Sequence, residues 1–330
     1  MFLILAFSLL VFSAFRLGGV GKGDYDAYLR LYGNIQNWEQ VVDPTVHVEF
    51  GFRFLSYLGN AIGFDGQFII AVMALLSGGI VLYVIYKYSP YKMLSLLVWF
   101  PYFLSMNMHT ARTSVAAAFG LLFFIAFIHK KYYKSILYFL LAFSFHTSAL
   151  VLLVIFLTRF QLKTLLLMLS FSALFFVFFS PFSMVIQAFS LIGFEKVAAF
   201  ISIYLNSSDY GYPMPLYDPR ILLGFLVVFL IYRARRWLSN YFNEDYFKVY
   251  ILGMFLMISL SDVTVLAWRI SYYFLLLGVI VIPWLAKIYN DADYQKTSIK
   301  RMATTLFILV YSLYSMPIIL AAEPYEFYLK

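Results

Sequence analysis

The sequence predicts an all-α, polytopic membrane protein, and its composition and the grouping of its apolar residues lead to this class. Of the 330 residues, 63% are apolar and 12% are charged, whereas soluble globular domains carry about 45–50% apolar and about 25% charged residues. So few charges cannot cover a water-facing surface of this size, which excludes a soluble enzyme and a disordered chain. The sequence contains no cysteine, which excludes thiolate catalysis, disulfide scaffolds and Cys-based zinc sites.

The apolar residues form runs that approach the length of a membrane-spanning helix. Such a helix needs about 20 mostly apolar residues, because the hydrocarbon core of a bilayer is about 30 Å thick. The candidate spans are 1–17, 67–86, 93–108, 112–128, 135–157, 164–180, 221–232, 246–262, 268–286 and 302–321. Run 1–17 lacks the basic start and the cleavage site of a signal peptide, so we expect an uncleaved span. Residues 52–64 are apolar but short and glycine-interrupted, which favours an interfacial or re-entrant helix.

Two polar stretches, 18–51 and 181–220, are long enough to fold as loops between the spans. Gly211, Pro213 and Pro219 prevent a continuous helix in the second stretch. The sequence shows no internal repeat and no linker typical of a soluble domain. We therefore expect a single transmembrane domain over residues 1–330.

The positions of the basic residues predict the orientation, because short cytoplasmic loops collect Lys and Arg. Fifteen of the 24 basic residues lie in the segments 87–92, 129–134, 158–163, 233–248 and 287–301. All five segments share one side only if 135–157 enters the membrane and returns, with His146 at its turning point. The sequence therefore predicts about nine crossings plus a re-entrant helical hairpin, with both polar loops outside. Arg16 and Lys22 disagree with this orientation, since they would lie on the outer side.

Several ionisable side chains lie at or near the outer ends of these spans, and charges at membrane depth are expensive enough to suggest a function. The candidates are Asp24, Tyr28, Glu49, His109, Arg112, His146, Arg220 and Arg269. Each also has a structural interpretation. Arg112 and Arg269 could extend to lipid headgroups from helix ends, Arg220 could anchor the topology, and the acids could cap helices.

Taken together, the candidates indicate chemistry on a diphosphate. Guanidinium groups bind phosphate oxygens bidentately and stay charged, and a nearby His or carboxylate can accept a proton from an attacking hydroxyl. Tyrosines in the outer loops could stack on sugar rings. Asp24-Tyr25-Asp26 has the D-x-D spacing of some metal sites, but motifs this short are frequent by chance, and we expect no metal. The sequence has no P-loop, H-E-x-x-H or G-x-S-x-G motif.

Five motifs in order along the chain resemble the EpsG-type, Wzy-like polysaccharide polymerases, which join O-antigen or exopolysaccharide units. They are Asp24-Tyr25-x-x-Tyr28, Glu49-x-Gly51-Phe52, Arg112 with small residues after it, Phe145-His146-x-Ser148-Ala149, and Arg269. The resemblance covers positions 24 to about 274. Family sequences often read Arg-Gln at the first arginine and Glu-Pro-Gly at the loop acid, where this chain has Arg112-Thr113 and Glu49-Phe50-Gly51.

The resemblance implies a GT-C-like fold and a metal-independent glycosyltransferase without a cofactor. Such an enzyme polymerises oligosaccharides carried on undecaprenyl pyrophosphate at the outer face of the bacterial cytoplasmic membrane. A chain-length regulator is a further expected partner, and nucleic acid is not. In this interpretation Arg112, Arg269 and Arg220 bind the pyrophosphate, and His146 or Glu49 is the general base. Asp24 orients the acceptor or an arginine, and Tyr28 and His109 contact the substrate.

Two alternatives remain open at this point. The first is the same chemistry with another acceptor, as in an O-antigen ligase or another lipid-linked glycosyltransferase. The second is a transporter or flippase of lipid-linked sugars, for which we would expect internal repeats with discontinuous helices in both halves. The sequence has one broken segment, which favours the polymerase.

Overall fold

The computed structural model describes residues 1–18, 24–179, 181–191, 211–291, 302–322 and 324–328, with isolated positions between 193 and 206. The chain is 79% helical, which confirms the all-α class. The helices are α1 (Phe2–Ala14), α2 (Tyr25–Gly33), α3 (Trp38–Val42), α4 (Phe50–Ile62), α5 (Gln67–Tyr88), α6 (Lys92–Tyr102), α7 (Ala111–Ile128), α8 (Tyr132–Phe145), α9 (Leu162–Phe178), α10 (Pro181–Leu191), α11 (Pro219–Ala234), α12 (Leu238–Tyr241), α13 (Glu244–Ser259), α14 (Thr264–Leu275), α15 (Gly278–Asp291) and α16 (Met302–Leu320). A π-helix covers Phe103–Asn107, a 3₁₀ helix covers Thr147–Arg159, and the short strands β1 (Arg16–Leu17) and β2 (Glu326–Phe327) pair antiparallel.

Helices long and apolar enough to cross a bilayer confirm a membrane protein. Within the described ranges they are Gln67–Tyr88, Ala111–Ile128 and Ala303–Leu320, and α14 with α15 forms a broken pair that passes the same test. The shorter apolar helices Phe2–Ala14, Thr147–Arg159 and Leu162–Phe176 lie on other predicted spans. The total of about nine crossings stays a prediction.

The chain divides into two compact units, one of Met1–Leu152 with Gly278–Lys330 and the other of Leu153–Leu277. In the first unit, α7 is the central helix and packs against α5 and α8. Its residues 116–118 are alanines without solvent exposure, and small side chains let neighbouring helices approach closely in a membrane. In the second unit, α13 packs against α9 and α14. The expectation of a single domain over 1–330 stays a prediction.

The first polar stretch folds into helices rather than an extended loop. Helix α2 buries Tyr25, Tyr28 and Tyr32, whose spacing places them on one helical face. Helix α3 begins with a capping box formed by Asn37 and Gln40. Helix α4 confirms the helix predicted near 52–64, and it ends at Gly63, whose φ of 87° is the left-handed conformation that glycine adopts readily.

The second polar stretch is partly helical, because α10 occupies its first residues, Pro181–Leu191. Most of 192–210 lies outside the described residues, so the loop prediction is not tested there. From residue 211 to 218 the chain is not helical, as the glycine and prolines predict. Asp218 then caps α11 by accepting a hydrogen bond from the Arg220 backbone N–H.

The predicted interruption at His146 is confirmed. Helix α8 ends at Phe145, and His146 is extended, with φ −158° and ψ 126°. The following 13 residues form a 3₁₀ helix, although such helices seldom exceed a few residues. The break exists where the sequence predicts it, while the return of the chain to the same membrane side stays a prediction.

Candidate active site

An ion pair between Arg112 and Glu49 forms the centre of the candidate site in the first unit. Arg112 lies in the first turn of α7, and its Nη1 donates to Oε2 of Glu49 at 2.5 Å. Glu49 is the extended residue that precedes α4. The Arg112 side chain is 23% exposed and the Glu49 side chain is 15% exposed. Water therefore screens this ion pair less than one on an open surface.

The second carboxylate oxygen of Glu49 connects the ion pair to the helix break. Its Oε1 accepts a hydrogen bond from the backbone N–H of Thr147 at 3.3 Å, directly after His146. Glu49 therefore joins the starts of α4 and α7 to the end of α8. Because the Glu49 carboxylate pairs with the Arg112 guanidinium and also accepts from the Thr147 backbone, this geometry suits a residue that positions Arg112 better than a general base.

Gly51 allows this arrangement by bringing α4 against the end of α8. A Cβ atom at Gly51 would lie 2.9 Å from the carbonyl oxygen of Ser144 and 3.1 Å from the Phe145 ring. The first contact is with backbone, which cannot rotate away. The glycine of the Glu49-Phe50-Gly51 motif therefore has a packing role.

Tyr28 supports Arg112 from α2. The Arg112 guanidinium lies 5.8 Å from the centre of the Tyr28 ring, within the range of a cation–π interaction, and Tyr28 is 3% exposed. Burial raises the pKa of Tyr28, and the nearby Arg112 lowers it by a smaller amount. The phenol is therefore neutral at neutral pH and can act as a hydrogen-bond donor.

Asp24 lies at the start of the same helix and contributes its charge to this cluster. Its negative charge raises the pKa of Tyr28 further, which places the carboxylate within electrostatic range. It occupies the N-cap position of α2, yet its side chain makes no capping hydrogen bond. The alternative interpretation of Asp24 as a helix cap is therefore not supported by the geometry.

Arg112 retains an unused donor. Its Nε is buried and has no hydrogen-bond acceptor in the described part of the chain. A buried donor without an acceptor is costly, with a penalty of about 1–3 kcal/mol or more for a charged group. An anionic ligand would reach the guanidinium through its exposed part, since the side chain as a whole is 23% exposed.

His146 has a defined tautomer in this conformation. Its Nδ1 accepts a hydrogen bond from the backbone N–H of Ser148 at 3.2 Å and lies 2.7 Å from the Ser148 Oγ. Because a backbone N–H can only donate, Nδ1 carries a lone pair and the neutral ring has its proton on Nε2. The neutral ring therefore presents Nε2 as a donor.

His109 lies between the π-helix and α7, three positions before Arg112. Its backbone N–H donates to the Met106 carbonyl at 3.2 Å, and its side chain is partly exposed. The predicted residues Asp24, Tyr28, Glu49, His109, Arg112 and His146 thus all belong to the first unit. Direct contacts or electrostatic coupling connect Asp24, Tyr28, Glu49 and Arg112, and the Glu49–Thr147 hydrogen bond brings this group to the residue after His146.

Arg220 and Arg269 belong to the second unit. Arg220 donates through Nε and Nη2 to the two carboxylate oxygens of Asp218, at 2.8 and 2.7 Å. Its guanidinium also lies 5.3 Å from the Trp268 ring centre. Arg269 is the next residue and is partly exposed. A pyrophosphate site shared by these arginines and Arg112 stays a prediction.

Asp218 is an ion-pair partner of the candidate residue Arg220 that the sequence analysis missed. Burial alone would raise the pKa of Asp218, but the hydrogen bonds and charge of Arg220 lower it below its ordinary value. The carboxylate is therefore ionised at neutral pH and neutralises Arg220. The signal in the sequence was the Asp-Pro-Arg order, in which Pro219 opens the helix and leaves the two side chains adjacent.

Arg16 is a second residue whose surroundings the sequence analysis did not predict. It is 1% exposed, and its Nη1 donates to the carbonyls of Ser13 at 3.2 Å and Asn107 at 3.1 Å. The sequence analysis noted only that Arg16 would lie on the outer side, against the charge rule. In the structure Arg16 is enclosed by protein. The sign in the sequence is that Arg16 lies on the side of the membrane where the charge rule does not expect a basic residue.

No three His, Asp or Glu side chains lie close enough to ligate one metal ion in the ranges that the structure covers. The fold and the site define a class, namely an all-α membrane protein with an arginine–carboxylate centre. The sequence matches the EpsG family over residues 1–329, and the chain belongs to that family. No curated protein and no solved structure matches the chain. Family membership implies a polysaccharide polymerase-type function and a glycosyltransferase-like enzyme.

Proposed function

We propose that this protein polymerises oligosaccharide repeat units carried on undecaprenyl pyrophosphate, at the outer face of the bacterial inner membrane and without a metal ion. The observation that carries the proposal is the half-buried Arg112, which is fixed by Glu49 and Tyr28 and has a buried Nε without an acceptor. Such a group is organised in advance to receive an anion. Family membership supplies the reaction class.

The proposed reaction moves the growing glycan from its lipid carrier to the next repeat unit. A sugar hydroxyl of the incoming unit attacks the anomeric carbon, and the bond from that carbon to the pyrophosphate oxygen breaks. The hydroxyl proton passes to a base, and undecaprenyl pyrophosphate leaves with the bonding electrons. Negative charge develops on the leaving oxygen, where a fixed guanidinium stabilises the transition state.

The geometry supports separate roles for the three proposed catalytic residues. Glu49 positions Arg112, since its carboxylate pairs with the guanidinium and is itself tied to the Thr147 backbone. His146 donates a hydrogen bond from Nε2 to the diphosphate. Asp24 accepts the proton, because its carboxylate makes no cap hydrogen bond and belongs to the cluster around Tyr28.

The remaining predicted residues have weaker support from geometry. Arg269 is kept as a second ligand of the pyrophosphate. Arg220 is less suited to that task, because Asp218 already binds its guanidinium bidentately. Tyr28 and His109 are proposed to contact the substrate beside Arg112.

The experiment that tests the proposal is a polymerisation assay with the purified protein in lipid nanodiscs. The substrate is an undecaprenyl pyrophosphate-linked repeat unit, and products are separated on a gel. Wild-type protein should give a ladder that a chelator leaves unchanged, and Arg112→Ala should lower the rate at least 100-fold, as expected when an oxyanion-stabilising group is lost. Arg235→Ala, which removes an arginine outside the cluster, is the matched control.

The outcomes separate the proposal from its alternatives. Equal ladders from wild type and Arg112→Ala would remove the arginine from the mechanism, and loss of product with chelator would require a metal. A single elongated product would indicate a ligase-like transferase. Movement of the intact substrate across the bilayer without any new glycosidic bond would indicate a flippase.

A further inference from the structure

A cavity of about 390 Å³ lies in the first unit, between helices α2, α4 and α5 and the segment that contains strand β2. The lining residues that could contact a ligand include Tyr32, Asn60, Phe64, Asp65, Gln67 and Tyr328. The volume falls within the range of small-molecule sites, which are mostly apolar with a few polar groups. None of the residues assigned above to the reaction lines it.

Asp65 is the principal polar group of this cavity. Its Oδ1 accepts from the Gln67 backbone N–H at 3.0 Å, and its Oδ2 accepts from the Tyr328 hydroxyl. A carboxylate has about four acceptor sites, so two of them remain for a ligand. Hydroxyl groups that donate would bind here through charge-assisted hydrogen bonds.

The amide side chains of the cavity leave acceptors rather than donors. Asn60 uses both amide protons on the carbonyls of Tyr32 and Ile35, so its side-chain oxygen is the group that can bind a ligand. Gln67 donates to the carbonyls of Ala14 and Arg16 and accepts from Tyr25. The cavity therefore offers an array of acceptors, which matches a ligand rich in hydroxyl groups.

Two aromatic rings form an apolar surface beside these acceptors. Phe64 is 51% exposed and Tyr328 is 36% exposed, and Phe64 is stacked on Phe68 with ring centres 5.1 Å apart. Backing by Phe68 holds the Phe64 ring in place. Aromatic faces next to hydroxyl-binding groups suit a sugar ring, which has apolar C–H faces and a polar edge.

The C-terminal segment supplies the wall that contains Tyr328. Strand β2 pairs with β1, and the Tyr325 ring stacks on Phe12 with centres 3.7 Å apart. The Tyr328 backbone N–H donates to the Phe15 carbonyl at 2.8 Å. The segment is therefore fixed to α1 by backbone and aromatic contacts.

Helix α2 connects this cavity to the candidate active site. Tyr25 and Tyr32 line the cavity, and Tyr28 lies between them in sequence and contacts Arg112. The three residues share one face of a helix that rises about 1.5 Å per residue. A ligand in the cavity would lie one helical turn from the tyrosine that supports Arg112.

We propose that this cavity is a saccharide-binding subsite that holds a sugar residue of the glycan near the reaction centre. Asp65 accepts hydrogen bonds from its hydroxyl groups, and Phe64 and Tyr328 pack against its ring. The choice of a glycan as the ligand rests on the proposed polymerase function. The cavity would bind the growing glycan through its sugar residues, independently of the lipid pyrophosphate.

The test uses glycan fragments that carry neither lipid nor phosphate. The probe is a size-fractionated oligosaccharide from partial acid hydrolysis of the polysaccharide that the source strain secretes. Binding to nanodisc-embedded protein is measured by isothermal titration calorimetry. Asp65→Asn should weaken binding at least tenfold, as expected for loss of hydrogen bonds to a charged group, and Tyr328→Phe should weaken it severalfold.

Matched controls keep the result interpretable. Glu39→Gln removes an exposed carboxylate and Tyr217→Phe removes an exposed tyrosine hydroxyl outside the cavity, and both should bind as wild type does. Phe64→Ala shortens a half-exposed ring without removing a hydrogen bond, so it should fold and still weaken binding. Thermal unfolding of each variant checks folding directly.

The outcomes distinguish this inference from the proposed function. No binding to wild type, or equal binding by wild type, Asp65→Asn and Phe64→Ala, would overturn the subsite. Arg112→Ala should abolish the polymer ladder yet bind the fragments normally, which supports a separate sugar site. Fragment binding through Asp65 without any polymer ladder from wild type would overturn the polymerase and leave the subsite standing.

Discussion

Arg112 is fixed on two sides, by a carboxylate and by an aromatic ring, before any substrate arrives. Glu49 orients its Nη1 and Tyr28 lies beside its guanidinium plane. This leaves little rotamer freedom for the ligand to remove on binding. Arg112 therefore has a permanent positive charge in a position that Glu49 and Tyr28 already fix.

Glu49→Gln tests whether Glu49 positions Arg112 or accepts the proton. The amide keeps the size and one acceptor but loses the charge that pairs with Arg112. We expect the polymerisation rate to fall about 10–100-fold and the KM for the lipid-linked substrate to rise, because the guanidinium loses its orientation. Steady-state kinetics over a range of substrate concentrations measure both.

A base would give a different result from a positioning residue. Loss of kcat with an unchanged KM, together with recovery of the rate as pH rises, would contradict the positioning role. Glu39→Gln, which changes an exposed acid of helix α3, is the control and should behave as wild type.

At this scale the sequence indicated candidate residues but not the partners that they have in the structure. Arg112 and Glu49 were both identified, because charges beside apolar runs are conspicuous, yet 63 positions separate them and no local pattern indicates the pairing. The Tyr328–Asp65 contact joins residues 263 apart and was not foreseen. Such contacts depend on the path of the whole chain.

The element that positions the site is the first turn of α4. It brings Glu49 to α7 and to the break after α8, and Gly51 makes the close approach possible. The apolar run at 52–64 predicted this helix. The neighbouring α2 and α3 were missed, because their mixed polar composition obscures the helical period. In α2 only the buried tyrosines follow this period.

Gly51→Ala tests the close contact between α4 and α8. The added methyl group would overlap the Ser144 carbonyl, so the start of α4 must shift and move Glu49 away from Thr147. We expect a loss of stability of about 1–3 kcal/mol, as for other overpacked contacts, and a fall in polymerisation rate of about tenfold. Thermal unfolding and the gel assay measure the two effects.

Gly79→Ala is the matched control within α5. A Cβ atom at Gly79 meets no other atom within 4 Å, so the substitution should leave activity unchanged and should favour the helix slightly. Equal behaviour of the two variants would show that the Gly51 contact is unimportant.

For the whole molecule, composition predicted the class correctly, because an excess of apolar residues over charges constrains the surroundings of the entire chain. The number and direction of crossings are harder to predict, since they depend on small differences in loop charge. Arg16 illustrates the difficulty, because the sequence does not show that this arginine is enclosed by protein rather than exposed in a loop.

Introduced cysteines test the predicted orientation directly, because the chain has none of its own. Single variants Lys131→Cys and Lys163→Cys lie on the two sides of segment 135–157. If that segment enters and returns, both positions face the cytoplasm. A membrane-impermeant maleimide should then label neither in intact cells and both after permeabilisation.

Tyr217→Cys is the positive control, because it lies in the predicted outer loop and is 78% exposed. It should be labelled in intact cells. Labelling of the residue 163 variant from outside would show that the segment crosses. Such a crossing is physically possible, because 13 residues of 3₁₀ helix extend about 26 Å at about 2.0 Å per residue. This length approaches the thickness of the hydrocarbon core, about 30 Å.

The attachment of the C-terminal segment to α1 has a practical consequence for work with this protein. An affinity tag fused after residue 330 would start three positions beyond Tyr328, which lines the cavity. Tagged preparations would then have an unrelated peptide competing for the entrance. A tag that a protease removes before the assay keeps that entrance open.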